Sequence, residues 1–125
     1  MSDEIYWVYE VAIRPGELEN FRAVAADLIA ATKSEAGTLN YEWTLNDDET
    51  VCHIYERYQN SAAALVHIGA FSIFAERFIK ACRPTRFEVY GKANKELKTA
   101  FADSGVAYFS PMGGFKRQTS PTGLI

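Results

Sequence analysis

The sequence predicts an α+β domain with the ferredoxin-like order βαββαβ, followed by a C-terminal extension. Three observations predict it: strict alternation over Ile5–Arg14, a helical stripe over residues 17–34, and a hairpin, helix and strand in succession from Thr38 to Gly91. In the first run Ile5, Trp7, Tyr9, Val11 and Ile13 are all apolar or aromatic, while the even positions are mixed. That is a strand with one dry face and one mixed face, and Pro15-Gly16 ends it.

The period then changes. Leu18, Phe21, Ala25, Leu28 and Thr32 fall on one helical face, with Glu17 and Glu19 in the first turn and Lys33 in the last, as the helix dipole favours. Gly37 is expected to stop this helix in a left-handed conformation. Thr38–Leu45 alternates again, Asn46-Asp47-Asp48-Glu49 is a polar turn, and Thr50–Gln59 resumes strand character. Asn60 or Ser61 caps a second helix carrying Leu65, Ile68, Phe71, Phe74 and Phe78, bent at Gly69. Arg83-Pro84 is expected to end that helix and Thr85–Gly91 to form the fourth strand. Residues 1–92 therefore read as the domain. Residues 93–125 read as an extension packed on the domain or on a partner subunit, with a helix near Asn94–Asp103 anchored by Leu97 and Phe101, a short strand near Val106–Phe109, and turns at Gly113-Gly114 and Pro121.

Composition excludes several function classes. A chain of 125 residues holds one core. Its 13 basic and 16 acidic side chains give a net charge of −3, and the basic residues form no stripe, so nucleic acid is not an expected partner. Charges interrupt every apolar run, so no membrane span is expected, and the acidic start leads into a strand instead of a signal peptide. Cys52 and Cys82 lack metal-ligand spacing and read as reduced thiols of a cytoplasmic protein. Aromatic residues make up 14%, which suits a filled core, an interface or a flat-ligand pocket.

A two-layer domain of this order leaves one sheet face without helices. The alternation assigns Tyr6, Val8, Glu10, Ala12, Glu42, Ile54, Glu56, Tyr58, Arg86 and Tyr90 to that face. Such a face is too apolar for water yet carries groups able to pair, which points to a homodimer through the sheet. Cover by the C-terminal tail is the alternative. The carboxylates Glu10, Glu42 and Glu56 are then expected to pair with Arg14, Arg57 or Arg86.

No phosphate-binding glycine loop, zinc-protease helix or serine-nucleophile elbow is present. The candidate chemistry centres on His67, which shares its stripe with Phe71, Phe74 and Phe78. An imidazole there acts as base or orienting donor in a pocket, or is a core histidine satisfied by a strand. His53, taken in phase with Val51 and Tyr55, is expected to look into the same space. Tyr9, Tyr41 and Trp43 share the helix-facing phase and either fill the core or line a pocket for a flat ligand. His53 and His67 have no sequence-local third ligand, so a catalytic metal is not expected, and with no cofactor motif present no other bound cofactor is expected.

These residues carry a resemblance. Gly37-Thr38-Leu39-Asn40-Tyr41-Glu42 resembles the G-x-x-x-Y/F-E segment of antibiotic biosynthesis monooxygenase (ABM) domains. Tyr55-Glu56-Arg57-Tyr58, then Ser61–Leu65, then His67 with Phe71 and Phe74, is similar to their strand-three-to-helix-two signature. The match covers about Ile5–Tyr90. It implies a dimeric α/β barrel with a pocket between sheet and helices in each subunit. It also implies monooxygenation of a small aromatic or quinol-like molecule by molecular oxygen, without metal or flavin. His67 matches the family's helix-two histidine, and Tyr41 matches its aromatic. The alternatives are a non-catalytic module that binds a small aromatic or serves in stress response, and a haem-binding or haem-degrading relative, whose Asn, Trp and His arrangement has no counterpart at Trp7 or Trp43.

Overall fold

The computed structural model describes residues 2–117; the turn expected at Pro121 and the end of the extension lie outside the described residues. The order is β1 (Ile5–Ile13), α1 (Leu18–Thr32), β2 (Thr38–Leu45), β3 (Val51–Tyr58), α2 (Ser61–Phe71), α3 (Ala75–Ala81), β4 (Cys82–Tyr90), α4 (Lys95–Ala100) and β5 (Ala107–Phe109). The sheet runs β2-β3-β1-β4-β5, antiparallel except for the parallel β4–β5 pair. This is the ferredoxin-like fold with one added edge strand. Among the described residues no single helix is long and apolar enough to cross a membrane.

The alternation of β1 does what it predicts: Ile5, Trp7 and Val11 are buried against the helices, and Tyr6 and Val8 are exposed. Two core clusters flank Tyr9. One joins Val11, Leu28, Ile54 and Phe78 beneath α1 and α3; the other joins Ile5, Trp7, Tyr58, Val89, Leu97 and Phe101 beneath α2 and α4. Each large side chain fully buried here stabilises the fold by roughly 1.5–3 kcal/mol.

Four local expectations are corrected. First, β3 has the opposite phase. Cys52, Ile54, Glu56 and Tyr58 are buried, and Tyr41, Trp43 and Leu45 of β2 lie directly across from Glu56, Ile54 and Cys52. Ile54, Glu56 and Tyr58 therefore leave the open face, and His53, Tyr55 and Arg57 take their places. Because side chains alternate with a period of two, a one-residue change of phase turns every one of them over.

Second, the second helix is two helices. α2 stops at Phe71 and α3 restarts at Ala75, bent by 76°. The bend is not at Gly69. It follows from a tightened turn in which Ile73, Phe74 and Ala75 each bond the carbonyl three residues back and Ser72 Oγ bonds Gly69 O at 2.6 Å. The bend lets Phe71 and Phe78 meet edge to face, centroids 5.2 Å apart.

Third, Pro84 lies inside β4, which begins at Cys82. The β1–β4 register shifts between Glu10 and Val11, opposite Arg86 and Pro84, and such an irregularity accommodates a residue without an N–H. Fourth, Gly37 has no positive φ. Its requirement is steric: a Cβ there would lie 2.6 Å from the Ala63 Cβ of α2.

The open face is charge-paired by neighbours other than those expected. Glu10 meets His53 at 2.8 Å, Arg57 meets Glu4 at 2.8 Å, and Arg86 meets Glu88 at 2.9 Å, while Arg14 Nε donates to Ile79 O. Tyr6, Tyr90 and Phe109 stack in a row across it, each step 5.3 Å. The extension packs back on its own chain. Leu97 is fully buried beneath α2, Asn94 caps α4 through Leu97 N, and Lys116 pairs with Glu4.

Gly91 makes this return possible. Its φ of +111° is strained for any L side chain, and a Cβ would meet Glu4 O at 2.4 Å. Gly91→Ala is expected to destabilise the protein by about 2–3 kcal/mol in denaturant titration, through backbone strain plus overpacking.

Candidate functional site

The site grows from three polar side chains that three different segments deliver to one buried place. Asn60 caps α2 by accepting from Ala63 N, and this start sets the rotation that turns His67 inward. β3 contributes Glu56, whose neighbours Ile54 and Tyr58 in the same phase are core residues. The turn after α1 contributes Glu35, held by a 2.8 Å bond from Thr38 Oγ1.

His67 Nδ1 lies 3.0 Å from Glu35 Oε1, and Nε2 lies 3.5 Å from Glu56 Oε1, with all three side chains less than a tenth exposed. Tyr58 OH donates to the same Glu56 oxygen at 2.5 Å. Burial pushes the Glu56 carboxyl above the usual carboxylate range, and Glu35 adds to the rise. The imidazole, Tyr58 and Trp7 oppose it. Both ring nitrogens of His67 therefore face a buried carboxylate oxygen, and Nε2 faces the one that burial holds toward its protonated form.

This pair forms part of the lining of a cavity of about 670 Å³. Trp7, Tyr9, Phe87, Phe71 and Ile68 supply apolar walls, and Phe101 closes one side from the extension. Trp7 packs edge-on against both Phe87 and Phe101, at 5.4 and 5.5 Å between centroids. Burial raises the Tyr9 phenol to about 12, so it stays a neutral hydrogen-bonding group at physiological pH. Thr85, Ser104 and other residues of β4 and the α4–β5 turn form the mouth, along the part of the β4 edge that β5 leaves unpaired. A site of this shape holds a flat apolar molecule by its faces and presents it to one polar corner.

Of the residues singled out from the sequence, Tyr9, His67 and Phe71 meet at this cavity. Tyr41 lies behind His67, ring centroids 4.9 Å apart, and Trp43 packs beyond Tyr41. Neither lines the cavity, and Phe74 packs in the core beyond the helix bend. His53 points to the opposite sheet face, half exposed and paired with Glu10, because β3 has the other phase. Cys52 and Cys82 are free and buried, with thiols raised to about 11 and about 12 by burial, which leaves them inert. Sequence reasoning missed Glu56, Glu35 and Phe101 as site residues. The signal for Glu56 was its phase with Cys52, Ile54 and Tyr58, a more buried set of residue types than Val51, His53, Tyr55 and Arg57. Nothing around Glu35 marks it.

Comparison with known proteins places the fold. The sequence model of the family described as antibiotic biosynthesis monooxygenase matches residues 5–70. Among solved structures, the chain is similar to MupZ from Pseudomonas fluorescens, with a TM-score of 0.81 at 23% identity over 93% of this chain and 96% of that one. Rv0793 from Mycobacterium tuberculosis follows at 0.65 and 20%, over 74% and 97%. SnoaB, a cofactor-independent oxygenase from Streptomyces nogalater, stands at 0.64 and 14%, over 75% and 96%. No curated protein sequence matches significantly.

The raised Glu56 pKa has a consequence for stability. The folded state holds this proton more tightly than the unfolded state, so between the ordinary glutamate range and the raised value stability falls as pH rises. Glu56→Gln retains an acceptor for Tyr58 and removes the ionisation. Its melting temperature is expected to gain on the wild type as pH increases through that window; parallel curves would show that Glu56 ionises normally.

Proposed function

Because the chain belongs to the antibiotic biosynthesis monooxygenase family, we propose that it oxidises a small phenol- or quinol-like molecule with molecular oxygen, using Glu56 and His67 to handle the proton. The observation that carries this reading is the placement of a buried carboxylate and imidazole, 3.5 Å apart, at the polar corner of an aromatic cavity. The likeness to SnoaB, a cofactor-independent oxygenase on the same fold, supports it.

The chemistry follows from the corner. A ring lying among Trp7, Phe87 and Phe71 presents its acidic O–H or C–H toward Glu56 and His67. Removal of that proton makes an electron-rich anion, and the desolvated pocket raises its energy. The anion donates one electron to oxygen, and the resulting radical pair combines at a ring carbon. Cleavage of the O–O bond, with return of the proton, leaves a carbonyl and releases water. A ring CH₂ group and O₂ thus become C=O and H₂O, with all electrons drawn from the substrate. Glu35 positions the imidazole, and Tyr58 holds the Glu56 oxygen in place.

The second part of the proposal is a homodimer through the open sheet face. Exposed Tyr6 and Val8, stacked Tyr90 and Phe109, and the paired charges around them form a continuous mixed surface of the kind that closes by two-fold symmetry.

Oxygen uptake with a panel of hydroquinones and anthrones tests the reaction. His67→Ala and Glu56→Gln are each expected to lower kcat by about 10²–10⁴. Rates unchanged by both would remove the pair from the mechanism, and no uptake with any member would overturn the oxygenase reading. For the dimer, light scattering at micromolar concentration is expected to give twice the 14.0 kDa chain mass, and Val8→Lys is expected to halve it.

A further inference from the structure

Two members of the buried polar set, Glu56 and His67, line the cavity, and the third, Glu35, does not. Glu35 sits instead beside a groove of about 300 Å³ between the end of α1 and the start of β2. Thr32, Lys33, Thr38, Leu39 and Tyr41 are among the walls of this groove, which shares no lining residue with the cavity. Lys33 and Leu39 are exposed at its rim. Glu35 is fastened to two of the walls: its N–H donates to Thr32 O at 2.9 Å, and its Oε1 accepts from Thr38 Oγ1 at 2.8 Å. Polar atoms thus follow one another from cavity to groove. Glu56 Oε1 lies 3.5 Å from His67 Nε2, and His67 Nδ1 lies 3.0 Å from Glu35 Oε1, which Thr38 joins from the groove. Glu35 Oε1 is shared between His67 and Thr38, while Oε2 is buried with no hydrogen-bond partner among the described residues. Leaving a carboxylate oxygen so is costly, and holding the imidazole in place needs Oε1 alone.

We propose that Glu35 is the proton exit of the site, passing protons between His67 Nδ1 and solvent in the groove beside α1. The inference rests on the reading of Glu56 and His67 as the groups that handle the proton. A proton taken up at Nε2 is matched by one released from Nδ1 to Glu35 Oε1. A half-turn of the carboxyl group exchanges its two oxygens and carries that proton to the unpartnered side, from which water in the groove removes it. The same steps in reverse bring a proton back when the O–O bond breaks, so the net reaction and the charge of the site are unchanged. An exit of this kind matters once a ligand fills the cavity, because a proton left beside the new anion returns to it. The other groups facing His67 do not serve. Burial holds the phenols of Tyr41 from β2 and Tyr58 from β3 far above their usual range, so both keep their protons, and Glu56 faces the cavity itself.

Exchange of the His67 ring protons with water, followed by NMR on the full chain carrying isotope-labelled histidine, tests this without any ligand. His53, half exposed on the other sheet face, is told apart by His53→Gln. Glu35→Gln keeps an acceptor for Nδ1 and for Thr38 but takes up no proton at neutral pH. It is expected to slow exchange at Nδ1 by about tenfold or more. A residue that only tethered the imidazole would give the opposite sign, because a weakened network opens to water more often. Leu39→Trp, on the groove and away from the cavity lining, is expected to slow exchange as well, and it decides alone if Glu35→Gln fails to fold. Exchange that is unchanged or faster in either folded variant would overturn the proposal. Slowed exchange without oxygen uptake sinks the oxygenase reading and leaves the exit standing. Oxygen uptake with unchanged exchange does the reverse.

Discussion

His67 is clasped between Glu35 and Glu56 in the layer between sheet and helices, and the rest of the molecule is arranged to make that arrangement bearable. Removing ionisable groups from water costs on the order of several kcal/mol each, and breaking such a set by deleting one member leaves an uncompensated charge. The fold offsets this cost by neutralising the set internally. One imidazole faces two carboxylates, one of which burial holds toward its protonated form, and Tyr58 and Thr38 supply hydroxyl donors. The three groups come from the turn after α1, from β3 and from α2. Their mutual distances therefore fix how these segments sit against one another more strictly than apolar contact does, since apolar packing tolerates small slides and a hydrogen-bonded network does not.

The two core clusters take complementary parts around that network. The cluster beneath α1 and α3 gathers Phe21, Leu28, Ile54 and Phe78, and its two thiols, Cys52 and Cys82, are buried and held above their usual range. The cluster beneath α2 and α4 borders the cavity, and Trp7 and Phe101 belong to both core and lining. The bend between α2 and α3 separates these tasks. A straight helix would carry the stripe His67, Phe71, Phe74 and Phe78 along one line. The bent pair keeps His67 and Phe71 at the cavity and sends Phe74 and Phe78 into the core.

Much of the fold was legible because local patterns and tertiary burial agreed. The dry face of β1, the α1 stripe, the Asn60 cap and the anchors Leu97 and Phe101 each have one arrangement that hides their apolar atoms, and they adopt it. The site was legible only in part. Tyr9 lies on a strand with an unambiguous face, while His67 and Phe71 lie on a helix that is apolar on nearly every side and are marked by the aromatic stripe they share. Glu56 and His53 lie on β3, where both alternating sets contain apolar residues, and taking Val51, His53 and Tyr55 as the helix-facing phase chose the wrong set. Glu56 violates the general rule that charges stay in water, and a sequence pattern cannot show the imidazole and phenol that make the exception stable.

The sequence by itself therefore determined the order of elements, the helix-facing side of β1 and the candidate histidine, since these follow from periodicity within one segment. Only the tertiary structure decided the phase of β3, the break after Phe71, the meeting of Glu35, Glu56 and His67, and the wall formed by α4 and β5. Each of these depends on a partner distant in the chain: the register of Ile54 against Tyr9 and Trp43, the fit of Phe71 against Phe78, and the return of the extension through Gly91 to the start of β1. Side-chain pairing across such separations costs chain entropy that only the whole assembled core offsets, so a local segment carries at most a weak trace of it, as the residue types of Cys52, Ile54 and Tyr58 do for β3.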